Sequence, residues 1–138
     1  MRRIGVLFVI ALTYVWALAA CSDEDEGAAG KTCAAAPAAI EAPSGVPGDF
    51  PKPTGVVYTK AETAGPSTKV EGYAKAALAD VYNSYVAALG TAPYGVTKKE
   101  KDAHDAEVTF AGSGTTGQVR LGEECKDRAS VKVTVRPG

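Results

Sequence analysis

The sequence predicts an α+β domain: one antiparallel sheet, with elements in the order β-β-α-β-β-β, covered on one face by a single helix. Two patterns carry this. Residues 68–76, 105–111, 115–123 and 129–136 alternate apolar and polar side chains with period two, as in strands with one buried face. Residues 78–89 switch to a helical period. Strands covered on one face suit an antiparallel sheet, and the one helix is the available cover.

The chain has 138 residues. Arg2 and Arg3 precede an uncharged, mostly apolar run from Ile4 to Ala20. That run is shorter than the roughly 20 residues a spanning helix needs. Small residues then lead into Cys21, the anatomy of a secretory leader. Leu18-Ala19-Ala20-Cys21 resembles the lipobox of bacterial lipoproteins. The resemblance implies removal of residues 1–20 and a diacylglyceryl group on Cys21, the first mature residue. An ordinary secretion signal and an uncleaved anchor are the alternatives. Cys33 and Cys125 are the other two cysteines. With Cys21 lipidated they form an even pair in a compartment that permits disulfides, so a Cys33–Cys125 bond is expected. Two free thiols remain the other possibility.

Residues 21–50 read as a tether and 51–138 as the folded domain. Asp23-Glu24-Asp25-Glu26 is followed by an Ala/Pro/Gly stretch with little large apolar surface to offset ordering entropy. The acidic run lacks the spacing of a calcium loop, so a solvated spacer is the favoured reading over a cation site. Cys33 interrupts the tether, which suggests that its middle is pinned.

Residues 54–60, with Val56, Val57 and Tyr58, fit a first strand, and Gly65-Pro66 marks a turn. In 68–76, Val70, Gly72, Ala74 and Ala76 share one face, and Lys69, Glu71, Tyr73 and Lys75 the other. Leu78, Val81, Tyr82, Tyr85, Val86 and Leu89 form one helical stripe. Asp80 suits the positive end of the helix dipole. Gly90 stands where a left-handed residue often ends a helix. No good N-cap precedes Leu78. Tyr82 and Tyr85 read as core, with a ligand groove as the alternative. Residues 94–101 carry Lys98, Lys99 and Lys101 and read as a solvated edge strand, or else as a docking patch for acidic surfaces. The last three strands turn Val108 and Phe110, Val119 and Leu121, and Val131, Val133 and Val135 to the core. Gly112-Ser113-Gly114 joins the first two as a hairpin. Continued parity would turn Cys125 towards the helix side, unless a bulge intervenes.

His104 is the only histidine, beside Asp105 in a polar loop. No Gly-x-Ser-x-Gly elbow accompanies it, so a nucleophile–base set is not expected. Glu123 and Glu124 are adjacent, and adjacent strand residues face opposite ways, which argues against joint acid–base work. No catalytic residue, cofactor or metal site is expected; a Cys/His zinc site lacks ligands once Cys21 is lipidated. Without Arg2 and Arg3, 13 basic residues face 16 acidic ones, so no nucleic-acid partner is expected. The reading is a non-enzymatic, lipid-anchored module of the bacterial cell envelope. Its partners would be the membrane, through Cys21, and an envelope protein or cell-wall polymer. The alternative is an enzyme acting on envelope material.

Overall fold

A computed structural model describes residues 30–91 and 93–138. Its elements are β1 (Val56–Ala64), β2 (Ser67–Ala74), α1 (Leu78–Leu89), β3 (Tyr94–Lys101), β4 (Asp105–Gly112), β5 (Thr115–Cys125) and β6 (Arg128–Pro137). They form one open six-stranded antiparallel sheet in spatial order β1-β2-β6-β5-β4-β3. The predicted α+β class and element order hold. The β1–β2 hairpin comes first. The helix then carries the chain across the sheet, so that β3 becomes the far edge. From there β4, β5 and β6 meander back until β6 pairs with β2.

Val70, Val108, Phe110, Val119, Val131, Val133 and Val135 are almost fully buried on one sheet face. Leu78, Val81, Tyr85 and Leu89 of α1 pack over that face. Tyr82 and Val86 flank the stripe and are half-buried. The Tyr85 hydroxyl is buried without a well-formed hydrogen bond. Burial, then the neighbouring Tyr58, pushes its pKa up, which keeps both rings neutral in the core.

The helix starts at Leu78, and the N-cap residue Ala77 supplies no side-chain cap, as expected. Its end differs from expectation. Gly90 has φ −77°, a right-handed conformation, and its N–H donates to the Val86 carbonyl at 3.0 Å. The Thr91 hydroxyl donates to the Ala87 carbonyl at 3.1 Å. With these carbonyls satisfied by the continuing turn, a left-handed cap is not required.

The folded part begins earlier than the expected Pro51. Val46 and Phe50 are buried in the core. The Phe50 ring lies 5.9 Å from Tyr94 and 5.2 Å from Phe110 between centroids. Asp49 fixes this corner by accepting from the Tyr94 hydroxyl at 2.9 Å and the Ser113 hydroxyl at 3.1 Å. The reason is a shortage of cover: one twelve-residue helix is narrower than six strands, so the chain before β1 supplies the rest of the lid.

Candidate functional site

The sheet face opposite the helix is polar and built in rows, because each strand contributes every second residue to it. The register sets Lys60, Glu71, Lys132, Arg120, Glu107 and Glu100 side by side, one from each strand. A second row runs Glu62, Lys69, Thr134, Gln118, Thr109 and Lys98. Ion pairs stitch the rows. Lys69 bonds Glu71 at 3.1 Å and Glu62 at 3.3 Å, and Lys132 approaches Glu71 at 3.5 Å. Arg120 pairs with Glu107 at 2.9 Å, and Lys98 with Glu100 at 3.0 Å. The hydrogen bond from Lys69 holds the Glu71 carboxyl below the usual carboxylate range, and Glu71 in turn raises Lys69.

The stability from the Glu71 pairing is therefore present above the ordinary carboxylate pKa. It is lost as pH falls through the lower folded value. Carbon NMR of the Glu71 carboxyl should show a midpoint below that of a free glutamate. High salt should return it towards normal, because exposed pairs are screened. A midpoint insensitive to salt would mean that some contact other than these lysines holds it.

Residues 31–40 cross part of this face as a strap. Cys33 and Cys125 lie at disulfide distance, with Cα atoms 5.2 Å apart. The Lys126 N–H donates to the Lys31 carbonyl at 2.9 Å, and Arg128 donates from Nη1 to the Ala34 carbonyl at 2.8 Å. At the β1 edge the Ile40 N–H donates to the Tyr58 carbonyl at 2.8 Å. Beneath the strap the Arg128 guanidinium lies over the Tyr73 ring at 5.6 Å and bonds Glu124 at 2.8 Å. An open groove of about 340 Å³ runs alongside, lined by Pro37, Glu71, Tyr73, Glu124, Ser130 and Lys132 among others. Its carboxylates, ammonium and hydroxyl suit a hydrogen-bonding chain rather than an apolar ligand.

The expected orientation of Cys125 is corrected. A bulge between Glu123 and Cys125 inserts one residue, and Cys125 then pairs with Arg128. One extra residue reverses the face, so Cys125 points away from the helix and meets the strap. Glu123 and Glu124 diverge as expected: Glu123 meets His104 Nδ1 at 2.7 Å, while Glu124 meets Arg128. His104 is exposed. Lys98 is ion-paired, and Lys99 and Lys101 are exposed on the edge strand. Tyr85 is core. Cys21 and the acidic run 23–26 lie outside the described residues.

Tyr73 and Arg128 were not singled out by the sequence pattern. Tyr73 falls on the polar face, and an aromatic residue among lysines and glutamates is the one signal that something covers it. It is 7% exposed. Among the described residues, no group of three or more His, Cys, Asp or Glu side chains is placed to hold a metal, and no helix is long and apolar enough to cross a membrane. Compared with known proteins, the chain matches no family model, no curated protein and no solved structure.

Proposed function

We propose that the chain is a non-enzymatic, lipid-anchored module of the bacterial cell envelope, whose polar sheet face recognises an envelope protein or a cell-wall polymer. The observation that carries this is Leu18-Ala19-Ala20-Cys21 at the end of an uncharged run that follows Arg2 and Arg3. One acyl chain holds a protein to a membrane only marginally, whereas two anchor it stably. The diacylglyceryl-cysteine implied by the lipobox resemblance meets that condition. Recognition, rather than proton transfer, is favoured by the state of the face. Glu71, Glu107 and Glu100 are each matched with a lysine or arginine. A carboxylate held ionised by its partner, as Glu71 is, makes a fixed recognition charge and a poor general acid.

Cys21→Ser should release the protein from the membrane fraction to the soluble fraction. Membrane association of the Cys21→Ser protein after leader removal would overturn the anchor. Recognition is tested by crosslinking in intact envelopes with the charge-reversed pair Glu71→Lys and Lys132→Glu. Crosslinks made by the parent chain should disappear, and their persistence would place the contact elsewhere.

A further inference from the structure

We propose that the Cys33–Cys125 disulfide is a thiol-labile lock on the strap, and that its reduction releases residues 31–39 from the sheet while the rest of the body stays folded. The strap has few other holds. The side chains of residues 34–39 are exposed, and most are alanine. Its polar contacts among the described residues are those of Lys31, Ala34 and Ile40, with Cys33 Sγ 3.1 Å from the Lys126 carbonyl oxygen. A few hydrogen bonds and a row of methyl groups do not match the backbone entropy of ordering this stretch, so the covalent bond decides. Release is bounded on the far side, because Val46 and Phe50 are buried in the core.

Access favours one direction of attack. Cys33 is half-exposed and Cys125 is 4% exposed. A thiolate of a dithiol reductant attacks the Cys33 sulfur, forming a mixed disulfide and expelling the Cys125 thiolate. The second thiol of the reductant then closes the reductant's own disulfide and frees Cys33. Two electrons pass from the dithiol, and its two protons end on Cys33 and Cys125.

Release has two consequences. It uncovers Arg128, which loses the Ala34 carbonyl, together with the Tyr73 ring beneath it. It also lengthens the link from Cys21, a consequence that rests on the anchoring proposed above. The first hold moves from Cys33 to Ile40, which extends the maximum reach from roughly 40 Å to roughly 65 Å at about 3.5 Å per residue.

The test is hydrogen exchange on the mature chain, oxidised and then reduced with dithiothreitol and alkylated, with a Cys33→Ala/Cys125→Ala chain as a reagent-free control. The Lys126 amide, which bonds the strap, should exchange close to the rate of an unprotected amide after reduction, while the amides of Val131 and Val133 remain protected, weakened only as far as the global stability falls. Unchanged protection at Lys126 would show that the other contacts suffice. Exchange of the β6 amides at the unprotected rate together with Lys126 would show a global staple instead of a local lock. Either result overturns the proposal. Neither depends on lipid, so failure of the lock and failure of the anchor are read separately.

Discussion

Val133→Asp should leave no folded protein at room temperature. Val133 is fully buried at the centre of β6, opposite Val119 on one side and Val70 on the other, both also fully buried. A carboxylate there has no cation within the valine cluster and no water. The expected cost is at least about 4 kcal/mol. A typical domain has only about 5–15 kcal/mol in total. Thr134→Asp, one residue on, should change stability by no more than about 0.5 kcal/mol. Thr134 faces the polar side, in register with Lys69 and Gln118, where a new carboxylate meets a lysine. Urea unfolding of both variants decides the matter. Equal damage would mean that both sheet faces are covered and that the single-lid architecture is wrong.

The second large effect is loss of the cysteine pair. Replacing Cys33 and Cys125 by serine should cost about 2–5 kcal/mol, the usual range for a native bridge. The separation is 92 residues. The chain-entropy model assigns such a closure about 4–5 kcal/mol through the unfolded state. Part of that is offset, because without the bond the strap need not be ordered in the folded state. Peptide mapping with and without reductant establishes whether the bond is present in protein recovered from cells. Free thiols at both positions would remove the expected effect and the lock with it.

Local patterns were legible wherever they were periodic. The helix runs over Leu78–Leu89 as its stripe indicated. The lysine-bearing strand at 94–101 is an edge strand, as its polarity indicated. Errors fall at element ends and before β1. The first strand continues to Ala64 rather than Lys60 because Ala61–Ala64 pair with Ser67–Val70 across the turn, a contact that composition does not record. Val46 and Phe50 stand alone in a Pro/Gly-rich stretch with no period. Nothing local marks them as a lid.

By itself the sequence determined the number and type of elements and which residues of each face the core. These follow from periods of two and 3.6 and from composition, which act within a few residues. Only the tertiary structure decided the placement of β6 between β2 and β5, the alignment of six strands' charges into rows, the burial of Tyr73 under Arg128, and the face on which Cys125 emerges. Each depends on register between segments far apart in the chain. In a sheet a single inserted residue, here at Glu124, reverses which face a side chain occupies.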